Sequence, residues 1–206
     1  LFQSGEIDKQ GGLYAVSASG AIEIAPSFFV GASINAYTGS FKTVRKYLES
    51  DSKSLYDSVY IKSEDRYRNF VKFGYDESTE KNISGYGISF GILYQYDNVL
   101  RAGMTIKLPD RLSIDEKYTL EASSEFSPYK AYYSGIDYES EYDIRTPGKI
   151  TFSGAYRINR LIVAGELDIV NYDYSKYSGG EDYLKDENEY AKDLFRTTIN
   201  IKGGVE

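Results

Sequence analysis

The sequence predicts an all-β protein, an antiparallel up-and-down transmembrane β-barrel. Three observations lead there. Apolar residues recur at every second position over stretches of about 9–11 residues, the length a tilted strand needs to cross a bilayer. Short turns alternate with long polar connections along the chain. No run of about 18 apolar residues occurs, so a membrane helix is excluded and strands are left as the crossing element.

The elements follow in order. Tyr14, Val16, Ala18, Gly20, Ile22 and Ile24 alternate up to the turn Ala25-Pro26-Ser27. Phe28, Val30, Ala32, Ile34 and Ala36 then oppose Gly31, Ser33 and Asn35. Tyr86, Ile88, Phe90, Ile92, Tyr94 and Tyr96 share a face against Gly85, Gly87, Ser89, Gly91 and Gln95, with Leu93 as the interruption. Asp97-Asn98 reads as a two-residue hairpin turn, because both residue types tolerate φ > 0. Leu100, Ala102, Met104, Ile106 and Leu108 return against Arg101, Gly103, Thr105 and Lys107. Ile150, Phe152, Gly154, Tyr156 and Ile158 repeat the pattern up to Asn159-Arg160. Leu161, Val163, Gly165, Leu167 and Ile169 answer them against Ile162, Ala164, Glu166, Asp168 and Val170. A last strand begins near Leu194, with Phe195, Thr197, Ile199, Ile201 and Val205 on its face. The total is about seven strands in one partial barrel domain over residues 1–206.

Long outer connections are expected near 48–82, 121–141 and 175–193, all rich in Tyr, Ser, Asp, Glu and Lys. Strands are expected to run on into them, beyond the lipid. Tyr94 and Tyr96, and Tyr172, Tyr174 and Tyr177, stand where apolar runs meet polar ones, as an aromatic girdle would. The ordinary β-propensity of Tyr accounts for the same clusters. Leu1 follows no charged and apolar leader, and Thr198–Glu206 reads as a strand with no turn after it. The expectation is therefore about half of a bacterial outer-membrane barrel.

Composition narrows the chemistry. The 206 residues include 22 Tyr and 10 Phe but no His and no Cys, which rules out Ser-His-Asp triads, His-based zinc sites and thiolate nucleophiles. A net charge of -7 argues against a nucleic-acid partner. Gly85–Gly91 is no dinucleotide loop, since no helix follows it. The acidic stretch Gly180–Glu189 lacks EF-hand spacing and reads as a solvated loop. No enzyme and no cofactor is expected.

The candidate ligand or lumen residues are Arg101, Lys107, Arg157, Glu166 and Asp168, charged side chains on the non-apolar face of neighbouring strands. They suit either a ligand carboxylate or a structural charge network inside a lumen. Glu166 and Asp168 are two positions apart on one strand, so they do not flank a scissile glycosidic bond. Pro147 and Gly148 are a candidate irregularity in the wall, since neither residue type sustains a strand interior. An irregular strand near a barrel rim is the plainer account of that pair.

Several segments together resemble the FadL/TodX family of outer-membrane transporters. They are the hairpin Ala21–Asn35, the hairpin Gly87–Pro109 with its Leu100-Arg101-Ala102-Gly103 return, Tyr142–Lys149 with Thr146-Pro147, Ala164–Tyr172, and the strand start Ile199–Glu206. The resemblance covers most of the chain in order and spacing, although each motif alone is only a hairpin pattern. Gly148 stands where many members carry Trp, and the family's N-terminal hatch motif is not visible. The resemblance implies a barrel of about 14 strands, only part of which is present. It implies facilitated diffusion of long-chain fatty acids or other hydrophobic small molecules, with outer-membrane lipid as surroundings. An apolar ligand then leaves sideways through the wall, because it partitions readily into lipid. Two other readings stay open: a general porin or adhesin barrel, and a soluble β-sandwich whose Tyr-rich loops bind carbohydrate.

Overall fold

A computed structural model describes residues 1–55, 58–62, 65–68, 70–126, 130–179 and 183–206. The strands are β1 (Phe2–Ala25), β2 (Phe28–Ser50), β3 (Ser58–Lys62), β4 (Asp65–Arg68), β5 (Phe70–Tyr96) and β6 (Leu100–Lys107). After them come β7 (Arg111–Phe126), β8 (Lys130–Arg145), β9 (Gly148–Ile158) and β10 (Leu161–Asn171). A 3-10 turn (Tyr172–Tyr174), β11 (Lys176–Ser178), helix α1 (Tyr183–Leu194) and β12 (Thr198–Val205) complete the chain.

Among the described residues, ten strands form one antiparallel sheet, and β3 and β4 form a separate hairpin. The order runs β1, β2, β5, then β6 and β7 together beside β5, then β9 and β8, then β10 and β11, then β12. The all-β antiparallel class is therefore observed. Closure into a barrel is not: β1 pairs with β2 alone and β12 with β10 alone among the described residues.

Three turns show why short connections were legible. Ser27, Asp97 and Asn159 all hold positive φ, of 66°, 45° and 57°. Asn and Asp tolerate this region because their short polar side chains bond locally. The turn after β5 is one residue longer than expected, since Tyr96 pairs with Leu100 and Val99 N–H donates to Tyr96 O at 3.1 Å.

Close contacts group into two compact units. The first comprises Leu1–Gly12, Gly39–Asn82 and Asp115–Ser140. Here the expected long connections are largely strand: β2 runs to Ser50, β5 starts at Phe70, β7 reaches Phe126 and β8 starts at Lys130. Cross-strand ion pairs hold these polar strands, which is why hydrophobic alternation fades while the strand persists. Lys42 pairs with Glu80, Arg45 with Glu77 at 3.4 Å, Lys81 with Glu116 at 3.0 Å, and Lys117 with Glu139 at 3.1 Å. Tyr47 stacks on Tyr75 at 5.4 Å beside them.

The second unit comprises Leu13–Thr38, Ile83–Ile114 and Glu141–Glu206. It carries the alternating strands read from the sequence. One boundary moves: Leu194 ends α1, and β12 starts only at Thr198. The expected outer connection near 175–193 is a short strand and a helix. Helix α1 presents Leu184, Asn188 and Ala191 at the i, i+4, i+7 spacing of one helical face, and these are its less exposed residues. Residues 180–182 of the acidic stretch lie outside the described residues.

Candidate functional site

Register turns alternation into two opposed surfaces. On one face of the second unit, Phe90, Ile106, Ile150, Ile169 and Ile199 lie side by side across five strands. The next row is Ile92, Met104, Phe152, Leu167 and Ile201. Tyr96, Leu100, Tyr156, Val163 and Val205 finish it toward the short turns. This face is exposed: Phe152 is 44% and Ile201 81% accessible. Among the described residues the only buried hydrophobic side chains in the whole chain are Ile114, Phe126, Tyr142 and Leu184.

All five candidate charged residues lie on the opposite face, as their parity required. Arg101 sits in the row Gln95, Arg101, Ala155, Ala164, Gly204. Glu166 shares a row with Gly103, Ser153 and Lys202. A depression of about 470 Å³ opens here, floored by Gly103, Ser153, Ala155 and Ala164 and edged by Arg101, Glu166 and Lys202. Small residues leave that space, and Leu93 beside Gly103 brings an apolar side chain to it.

The carboxylates find different partners from those expected. Lys202 reaches both, at 2.6 Å to Glu166 and 2.9 Å to Asp168. Asp168 is 4% exposed; it also accepts from Thr151 Oγ1 at 2.6 Å and lies 3.5 Å from Lys149. Arg101 and Arg157 enter no ion pair among the described residues. Lys107 instead pairs with Asp110 Oδ2 at 2.7 Å, and Tyr37 Oη donates to the same oxygen at 3.3 Å. Lys149, Lys202 and Asp110 were missed because each reads alone as an ordinary strand or turn residue. Only register brings them to the candidates.

The strands are interrupted at Thr146-Pro147, Gly148 opens β9, and the interruption has a counterpart. Strand β6 stops at Lys107 and β7 resumes at Arg111 across Pro109; β8 stops at Arg145 and β9 resumes at Gly148. Each break exchanges the faces of the strand. Lys107 and Lys149 share the polar face, yet beyond the breaks Asp110 and Leu112 are the side chains that meet Gly87 and Gly85 on that face. One extra residue in a strand has this effect. Hydrogen bonds stitch the breaks together. Thr146 N–H donates to Asp110 O at 3.0 Å, and Asp110 N–H donates to Thr146 Oγ1 at 2.9 Å. At this level the strands are interrupted and the sheet remains bonded.

Helix α1 docks on the polar-face side. Leu184 packs with Ile114 and Tyr142, flanked by Ile83, Ile144 and Tyr177. Asn188 clamps it by accepting from Tyr177 N–H at 2.7 Å and donating to Tyr177 O at 2.8 Å. Tyr177, expected in a girdle, instead meets Tyr142 edge-on at 6.0 Å inside this cluster. Among the described residues no group of three or more carboxylates is placed to hold a metal ion. No family model, curated protein or solved structure matches the chain.

Proposed function

We propose that this chain forms wall strands of a bacterial outer-membrane β-barrel that passes long-chain fatty acids or other hydrophobic compounds by facilitated diffusion. The observation that carries the membrane part is the exposed, register-aligned apolar face backed by a charged one. The chain exposes 14760 Å². A water-soluble fold of 23.3 kDa exposes about 9,700 Å². A soluble sandwich would cover the apolar face with a second sheet; lipid covers it equally well. The height also fits. From Tyr86 to Tyr96 a strand rises about 34 Å at 3.4 Å per residue, which a tilt of about 45° reduces to about 24 Å. The apolar band of such barrels is about 25 Å tall.

Transport of an apolar cargo rests on the family resemblance and on the strand breaks at Pro109 and Pro147. A break at matched levels of neighbouring strands is where a wall can part with the fewest ladder bonds lost. The ion pairs of Glu166, Asp168 and Lys202 suit a water-filled lumen, which favours a general porin as the second reading.

Uptake in cells separates the readings. The full gene product is expressed in a Gram-negative strain lacking its own long-chain fatty-acid uptake. Restored uptake of labelled oleate from an outer-membrane-located product is the expected result. Location in the outer membrane without oleate uptake removes the transporter and leaves the porin or adhesin. Recovery in the soluble fraction removes the barrel.

A further inference from the structure

The apolar face ends at Tyr86, and beyond it the same face changes character. Because the break at Pro109 reverses the parity of β7, Arg111 emerges beside Tyr86 rather than over the polar side. The bond between Thr146 and Asp110 sets Arg111 opposite Arg145, and Arg145 is itself opposite Lys176 on β11. Three cations thus lie in a row across β7, β8 and β11. Like charges placed directly opposite destabilise a sheet, because their Cβ atoms are only about 5 Å apart. None of the three enters an ion pair among the described residues. Tyr174 lies 5.7 Å from the Arg145 guanidinium, against its ring face. They border a depression of about 630 Å³ to which Ser84, Ser113 and Ser178 bring hydroxyls, with Asp143 as the lining carboxylate.

We infer that Arg111, Arg145 and Lys176 form a binding site for the phosphate of a membrane-lipid headgroup, whose acyl chains lie along the apolar face below Tyr86. This rests on the membrane reading above. Guanidinium groups take phosphate oxygens in paired, charge-assisted hydrogen bonds, and an ammonium adds a point charge. The serine hydroxyls donate to the remaining oxygens. Charge complementarity identifies the headgroup as anionic. Continuity of the cations with the apolar rows identifies the source as a lipid rather than free phosphate.

The test uses the full chain in neutral detergent micelles, titrated with dihexanoyl phosphatidic acid and, separately, with inorganic phosphate. The wild type binds the lipid saturably and inorganic phosphate at least about tenfold more weakly. The triple variant Arg111→Gln, Arg145→Gln, Lys176→Gln weakens lipid binding by about tenfold or more. The charge-preserving variant Arg111→Lys, Arg145→Lys keeps only part of it, since an ammonium does not make the paired bonds of a guanidinium, and Arg160→Gln with Lys192→Gln, away from the depression, changes nothing. Equal lipid binding by the triple variant overturns the site. Equal affinity for inorganic phosphate overturns the lipid as its source. Flotation with neutral phosphatidylcholine vesicles reports the membrane reading separately. Absence of flotation overturns both, whereas flotation without preference for phosphatidic acid overturns the site alone.

Discussion

Replacing Phe152 by Arg distinguishes an apolar face covered by lipid from one covered by water. Phe152 sits mid-row between Met104 and Leu167, away from both ends of the apolar band. An aromatic side chain presents about 200 Å². At 44% exposure, about 90 Å² of Phe152 faces outward. Covering that area with lipid is worth about 2 kcal/mol at 25 cal/mol/Å². An Arg facing lipid near the midplane costs about 2–4 kcal/mol more. The swing for Phe152→Arg is therefore about 4–6 kcal/mol if lipid covers the face, and within about 0.5 kcal/mol if water does. The assay is reversible urea unfolding of the full chain in phosphatidylcholine vesicles, followed by tyrosine fluorescence. Thr105→Arg, one residue from Met104 but on the polar face, serves as the comparison and should cost under about 1 kcal/mol. Equal, small effects from both substitutions would refute the lipid-facing assignment.

Other outcomes follow from the geometry. A Cβ at Gly87 would overlap the Asp110 carboxylate, which Lys107 and Tyr37 hold in place; Gly87→Ala should cost about 1–3 kcal/mol, and much less once Asp110→Ala is also present, as a double-mutant cycle reads. Asn188→Ala removes both bonds to the Tyr177 backbone, so amide exchange over α1 should accelerate by about tenfold or more while β9 and β10 stay protected. Hydrogen bonding and charge from Lys42 hold the Glu80 carboxyl below the usual carboxylate range. Its contribution is present above the unfolded value and is lost as pH falls through the lowered one. The acid unfolding of Glu80→Gln should therefore be less pH-dependent than that of the wild type. Lys117, raised chiefly by its hydrogen bond to Glu139, runs the other way: its contribution is complete below the ordinary lysine value and is lost as pH rises through the raised one, so Lys117→Gln should flatten the alkaline limb.

Much of the second unit was legible because its strands obey a two-residue period and its turns carry Ser27, Asp97 and Asn159. A polar strand was harder to read. Residues 70–82 and 121–126 carry scattered charges instead of alternating hydrophobicity, and ion pairs such as Lys81 with Glu116 appear only once the strands are in register. Helix α1 was hidden by composition, since a run rich in Asp, Glu, Lys and Tyr resembles a loop until the spacing of Leu184, Asn188 and Ala191 is tested. The parity of Arg101, Lys107, Arg157, Glu166 and Asp168 could be read from the chain. Their partners could not, because pairing depends on which residues lie opposite, and Lys202 is far away in sequence from Glu166. The face of Arg111 and Arg145 was unreadable for another reason: extending the alternation through Pro109 or Pro147 assigns every later side chain to the wrong side.

Deleting Pro109 in frame would remove the odd residue, so regular alternation from Lys107 would still bring Asp110, Leu112 and Ile114 to the polar face and leave Arg111 on the other. Deleting a residue farther along β7 instead would turn every side chain beyond it to the opposite face. Tolerance to single-residue deletions should therefore be confined to two short windows, around Pro109 and Pro147, where the ladder already accommodates an odd residue.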